Sequence, residues 1–269
     1  MYILHFSDFH LFAGEKESTH PRPDTVDAVE RVLADAARLS PQPDLVLISG
    51  DLTDCGTAED YALAKEMLAR FSSPVLVIPG NHDRRAAMRT AFGDSIPFVE
   101  GPFLNFDLVH KGIRVIGLDT IIPGAVEGEL CPDRLDWLAD RLADETARAQ
   151  TESGVTFLML HHPPFDLASP SWDAMTLLKG RREFTQLISR FNGHLRLLTG
   201  HVHRPLITTH AGHFAAIAGS PAFQYAPGLG WTGEPPLSAE PYVYWLHHIT
   251  APGTVITSPR MIDLGAAPV

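Results

Sequence analysis

The stretch Leu195-Arg196-Leu197-Leu198-Thr199-Gly200-His201-Val202-His203 decides the fold. A short apolar run passes through a glycine into two histidines one residue apart, and related arrangements occur four more times. Residues 2–6 lead into Ser7-Asp8-Phe9-His10, 45–49 into Gly50-Asp51, 75–78 into Gly80-Asn81-His82-Asp83, and 155–160 into His161-His162. A sixth run, 113–118, ends in Asp119-Thr120. Amphipathic stretches fill the gaps. Residues 24–39 carry Val26, Val29, Val32 and Leu33 at helical spacing behind a candidate N-cap, Asp24. Residues 61–71 follow the capping-box pair Thr57 and Asp60, 132–147 open on a first-turn proline, and 181–191 complete the set. Short β-branched runs alternating with helices predict a layered α/β fold, and in such folds ligands gather at the carboxyl ends of the strands. Residues distant in sequence are therefore expected to meet at one edge.

The residue types predict a metal site. With two cysteines, Cys55 and Cys131, and no C-x-x-C spacing, sulfur ligation is excluded, whereas 14 histidines are available. Each segment alone is commonplace: Asp-x-His as a surface turn, Gly-Asn-His-Asp as a turn or helix cap, Gly-His-x-His as half a strand. Five together, each at a strand end, predict a dinuclear centre. Neutral imidazole and carboxylate suit first-row divalent ions, and one carboxylate can bridge two ions about 3.5 to 4 Å apart. Asp51 is the bridge candidate. If 201–203 is extended, alternation sends His201 and His203 the same way, each to a different ion, and Asp8 and His10 share that spacing. Two dications, reduced by Asp8, Asp51 and a bridging hydroxide, leave a net charge of about +1, which suits a singly charged phosphodiester.

In order and spacing, Asp8-x-His10, Gly50-Asp51, Gly80-Asn81-His82-Asp83, His161 and Gly200-His201-x-His203 resemble the calcineurin-like metallophosphoesterase signature over positions 8–203. His161-His162-Pro163-Pro164 and Leu118-Asp119-Thr120 are similar to its class III cyclic nucleotide phosphodiesterase and glycerophosphodiesterase branch. The resemblance implies an α/β fold of four layers, αββα, with two mixed sheets flanked by helices and the centre between them. It also implies that Asp8, His10, Asp51 and His203 hold one ion, and Asp51, Asn81, His161 and His201 the other. The metals are Fe, Mn, Zn or Co. His161 is taken as the ligand because it lies nearest the strand end; His162 is its alternative, and otherwise supports the ligands or faces the substrate. His82 and Asn81 are read as substrate contacts, with His82 protonating the leaving oxygen while a hydroxide held between the ions attacks phosphorus in line. Asp83 either orients a neighbouring imidazole or caps a helix at 84–91.

The implied activity is hydrolysis of a small phosphodiester, a 3′,5′-cyclic nucleotide or a glycerophosphodiester. A phosphomonoester, a nucleic-acid substrate and a non-catalytic scaffold are the alternatives. A formal charge of −11 over 269 residues argues against a nucleic acid as partner. No apolar run reaches the roughly 18 residues that span a bilayer, and Asp8 comes too early for a secretory leader, so a cytoplasmic chain without a membrane partner is expected. A single domain, 1–269, is expected. After Leu206 come three β-like pieces, 207–210, 214–218 and 242–249, expected to continue a second sheet. Residues 219–241, rich in Pro and Gly with Phe223, Tyr225 and Trp231, are expected to form a substrate lid or a homo-oligomer contact. Trp172, Asp173, Met175 and Lys179 are read as pocket wall or surface loop, His210 and His213 as further candidates for the site, and Arg84 and Arg85 as solvated charges or anion contacts.

Overall fold

A computed structural model of the protein describes residues 1–14, 24–228, 230–233 and 235–265; Leu229 and Glu234 of the 219–241 segment lie outside the described residues. The chain begins β1 (Tyr2–Phe6), α1 (Thr25–Ala37), β2 (Leu45–Ile48), α2 (Ala58–Leu68), β3 (Val75–Val77), α3 (Arg85–Phe92). It continues β4 (Phe106–His110), β5 (Ile113–Leu118), β6 (Gly128–Glu129), α4 (Pro132–Ala143), α5 (Glu145–Ala149), β7 (Val155–Leu160), α6 (Pro170–Asp173), β8 (Leu177–Lys179), α7 (Arg181–Ser189), β9 (His194–Thr199). The last strands are β10 (Leu206–His210), β11 (His213–Ile217), β12 (Gln224–Tyr225), β13 (Leu237–Ser238), β14 (Tyr242–Ala251) and β15 (Thr254–Ile262).

Two mixed sheets result, ordered β15-β14-β1-β2-β3 and β10-β11-β9-β7-β5-β4. In the first, parallel β1, β2 and β3 have antiparallel β14 and β15 on one side; in the second, parallel β11, β9, β7 and β5 lie between antiparallel β10 and β4. β2, β5 and β7 are buried along their whole length, which requires cover on both faces. Side-chain alternation divides the cover. Val115, Phe157, Met159 and Leu198 join the core that also holds Leu4, Phe6 and Leu47 of the first sheet. Their neighbours Ile116, Leu118, Leu158, Leu160 and Leu197 pack instead with Leu138 of α4 and Phe184 and Ile188 of α7. Val29, Val32 and Leu33 of α1 pack into the first cluster. The order is helix, sheet, sheet, helix, and truncating an inner residue such as Phe157 would cost about 3 to 5 kcal/mol.

Several expectations shift. The capping box Thr57–Asp60 forms, but it starts α2 at Ala58, and the helix stops at Leu68. Asp24 precedes α1 without a side-chain capping bond to it. The helix expected over 132–147 breaks at Asp144, whose ψ of 102° is extended, and α7 ends at Ser189. β10 and β11 extend the second sheet as expected, whereas β14 returns to the first and pairs antiparallel with β1, Tyr2 opposite His248. The amphipathic β15, paired only with β14, and β4 were not foreseen. No helix among the described residues is long and apolar enough to cross a membrane.

Candidate metal centre

The strand ends do meet. Ligand-capable atoms of Asp8, His10 and His203 lie within 4.8 Å of one another, as do those of Asp8, Asp51 and His161. His161, Asp51 and Asp8 are 2% exposed or less. The backbone that brings them together is not extended. Asp8 (φ 57°), His10 (46°), Asp51 (46°), His201 (76°) and His203 (49°) all adopt left-handed conformations. Each costs a residue with a Cβ about 1 to 2 kcal/mol. The alternation expected for 201–203 is therefore replaced by a turn in which Val202 is buried against Trp172 and Ile217 while the flanking imidazoles face the centre. Long-range bonds hold these turns. Asp8 N donates to Gly50 O (3.0 Å), His10 N to Asp51 O (3.0 Å) and Ser220 Oγ to Asp8 O (2.7 Å), while both Asp8 oxygens accept from His201 N (3.1 and 3.0 Å). Close approach explains two glycines: a Cβ on Gly80 would overlap Asp51 Oδ1, and one on Gly200 would lie 2.5 Å from Asp8 Oδ2.

Hydrogen bonds fix which nitrogens face inward. His161 Nδ1 donates to Ser49 O (2.8 Å), leaving its Nε2 a lone pair, and that lone pair faces Asp51 Oδ2 (3.3 Å), Asn81 Oδ1 (3.2 Å) and His201 Nδ1 (3.2 Å). His203 Nδ1 donates to Phe223 O (3.1 Å), so its Nε2 lone pair faces His10 Nε2 (3.0 Å) and Asp8 Oδ1 (3.5 Å). Asp51 Oδ2 also lies 3.7 Å from His10 Nε2, so a single oxygen sits between the two imidazole groups. Lone pairs thus point at carboxylate and amide oxygens. Such an assembly of acceptors fits a cation.

The electrostatics agree. Burial works against ionising Asp51, but His161 overrides it and holds the carboxyl well below its usual range; His203 does the same for Asp8. Burial drives His10 and His201 down to about 3, leaving both rings neutral and able to offer a lone pair. Against its own burial, His161 is pushed up to about 9 by the Asp51 charge, so a proton occupies the Nε2 lone pair in the position that a cation would take in its place. The two buried carboxylates draw positive charge into the centre.

His82 sits at the rim. Its backbone N–H donates to Asp51 Oδ1 (2.8 Å), and its Nδ1 donates to Asp54 O (3.0 Å). Burial opposes its charge, yet Asp54 and Asp51 push it up to about 10. Asp54 was not foreseen: its Oδ1 lies 3.4 Å from His82 Nδ1 and 3.6 Å from His10 Nδ1, the orienting position assigned above to Asp83. Its place three residues after Asp51 was the only signal. Asp83 neither orients an imidazole nor caps α3. It accepts from Gly80 N, Leu52 N, Thr53 N, Thr53 Oγ1 and Tyr61 Oη, tying the two loops together, and burial with the Asp51 charge raises it to about 6.

His162 lies beside the centre, with a ring nitrogen within 4.8 Å of ligand-capable atoms of His161 and His201, but both its nitrogens have other partners. It is fully buried, with Thr120 Oγ1 2.7 Å from Nδ1 and Nε2 donating to Val126 O (2.9 Å). Arg85 grips the buried Asp119 through both oxygens (2.6 and 2.8 Å), and Arg84 bonds the carbonyls of His82 and Asp83. His210 meets Thr185 and His213 meets Ile188 O, away from the cleft. The cleft itself is about 750 Å³. His10, Asp51, Asn81, His82, His201 and His203 form its floor, and Met175 and the 219–241 segment contribute to its walls.

The pattern of the calcineurin-like phosphoesterases matches residues 1–205. A probable glycerophosphodiester phosphodiesterase of Arcobacter nitrofigilis is 32% identical over 250 residues, covering 93% of this chain and 89% of its own. A 3′,5′-cyclic adenosine monophosphate phosphodiesterase of Pseudomonas aeruginosa is 32% identical over 229 residues, covering 84% and 78%. Among solved structures, a dimetal phosphatase from Danio rerio shares the fold with a TM-score of 0.65 at 12% identity, covering 95% of this chain and 98% of that one.

Proposed function

The chain belongs to the calcineurin-like phosphoesterase family, and from that premise we propose that it is a dinuclear metal-dependent hydrolase of small phosphodiesters, either a 3′,5′-cyclic nucleotide or a glycerophosphodiester. The observation that supports this most is the convergence of imidazole lone pairs with Asp8, Asp51 and Asn81 oxygens. Asp8, His10, Asp51 and His203 would hold one ion, and Asp51, Asn81, His161 and His201 the other, the ions being Fe, Mn, Zn or Co. When bound, they supply the Lewis acidity that phosphoryl transfer to water needs. Asn81 and His82 position the phosphoryl group. His82, protonated and anchored through Nδ1 by Asp54, offers its other N–H to the leaving oxygen, so the alcohol departs neutral. Within 219–241, Phe223, Tyr225, Pro235, Pro236 and Leu237 act as a wall of the substrate cleft.

A diester is favoured over a monoester because, among the described residues, no Lys or Arg lines the cleft to meet a second negative charge. Chelation followed by assay on an aryl phosphodiester tests the reading. Turnover should vanish and return with Mn²⁺; turnover that survives complete metal removal, or never appears with any metal, overturns it.

A further inference from the structure

Around the polar floor, the upper walls of the cleft are apolar: Val126, Met175, Phe223, Tyr225, Pro236 and Leu237. Two of these, Val126 and Leu237, are 50% and 46% exposed, which places them among the most exposed large apolar side chains of the described residues. They are not on loose chain. The Val126 carbonyl is held by the buried His162 Nε2, and a Gly128 Cβ would clash with the same ring, so the turn before β6 is seated on that histidine. The segment carrying Leu237 is tied by Ala226 N to Pro236 O (2.8 Å), by the β12–β13 pairing and by Arg204, which bonds Tyr225 O and Glu240. Phe223 packs its ring on His203 with centroids 4.1 Å apart, and Tyr225 meets Phe223 edge-on at 5.4 Å. Apolar groups held rigidly at the mouth of a polar site, facing water, are a preformed surface for an apolar group of the ligand.

We propose that the cleft selects its phosphodiester by an apolar, planar group on the ester oxygen, received against Val126, Met175, Tyr225 and Leu237, and that it disfavours glycerol esters. The catalytic part rests on the hydrolase reading above; the binding part does not. A glycerol moiety has no apolar face to lay against these side chains, so it gains little from removing their surface from water. A nucleobase and a simple aryl group share the required chemistry.

The test uses diesters with one common hexafluoroisopropyl leaving group, acidic but not planar, and a phenyl, thymidyl or glyceryl second ester, assayed with metal-loaded enzyme. kcat/KM for the phenyl and thymidyl esters should exceed that for the glyceryl ester by about tenfold or more. The double variant Val126→Ser, Leu237→Ser, altered only at half-exposed positions, should bring the ratio close to one while metal content stays unchanged. A gain for phenyl without thymidyl supports the proposal and identifies a plain aryl group. Equal rates for all three esters, or a ratio unaffected by the double variant, overturn it. Calorimetric binding of phenyl methylphosphonate against glyceryl methylphosphonate, neither of which needs to react, repeats the comparison. If no diester is turned over, the hydrolase reading fails, while a phenyl preference in binding that the double variant removes keeps the selectivity, and its absence sinks it.

Discussion

The floor and the walls of the cleft are built by opposite means. On the floor, side chains are buried, much of their backbone is bent into left-handed conformations, and the His161 and His203 rings are fixed by backbone carbonyls from distant segments. On the walls, Val126 and Leu237 stand half in water, and contact is made by ring faces and methyl groups. Directional bonding places atoms to within tenths of an ångström, as reaction at phosphorus demands, whereas apolar contact is tolerant and grades affinity by area. Changes on the floor should therefore abolish function, and changes on the walls should retune it.

The largest effect is expected at Asp51, whose Oδ2 lies between both imidazole groups. Asp51→Asn should reduce turnover by about a thousandfold or more and leave fewer than two ions per chain, read by metal analysis. Two ions and near-normal rates would break the distinction at once. His82→Ala should lower kcat by about 10² to 10³ with metal content intact, because only proton donation and phosphoryl positioning are lost; unchanged diester turnover would remove it from the reaction. Asp83→Ala should affect stability first: five donors lose a buried acceptor, at about 2 to 4 kcal/mol, visible as a lower urea midpoint at constant slope. A loss below about 0.5 kcal/mol would mean that the floor is less rigid than its bonding suggests. By contrast, Leu237→Ser on the wall should shift stability by no more than about 0.5 kcal/mol.

The smallest effect lies far from the cleft. The hydrogen bond from Arg260 holds Asp35 below the usual carboxylate range against partial burial, with Tyr244 assisting. A depressed carboxylate contributes stability above its unfolded value of 3.8 and loses it as pH falls through the lower folded value. Arg260→Ala should flatten that acid limb by less than about 1 kcal/mol, since Arg260 is 51% exposed. An unchanged acid limb would assign the shift to other groups.

The same contrast explains what could be read from the sequence. β1, β2, β5 and β7 are mostly apolar runs, broken only by His5, Arg114 and Thr156, because both faces are covered, and such runs are visible without any partner. β15, with Thr254, Thr257, Ser258, Pro259 and Arg260, has the composition of a loop and becomes a strand because β14 supplies its hydrogen bonds. The ligand-capable residues were legible through their types and positions at strand ends. Their left-handed backbone was not, because it is imposed by bonds such as Asp8 N to Gly50 O that join segments distant in sequence. His161 and His162 could not be told apart in the sequence: His161 turns Nε2 toward Asp51, and only the positions of Thr120 and Val126 show that both His162 nitrogens are engaged elsewhere. Asp54 reads as an ordinary turn acid until His10 and His82 close around it.

The five left-handed floor residues also bear on how such a chain can change over generations. A glycine at position 51 would relax a φ of 46° that aspartate holds at a cost, so Asp51→Gly should be more stable than Asp51→Ala by roughly 1 kcal/mol in urea unfolding with chelator present. Drift toward inactivity is then accompanied by relief of strain. Selection that preserves these residues has to work against folding stability, and a lineage freed from the need for catalysis would be expected to lose its histidines and aspartates here before it loses its fold.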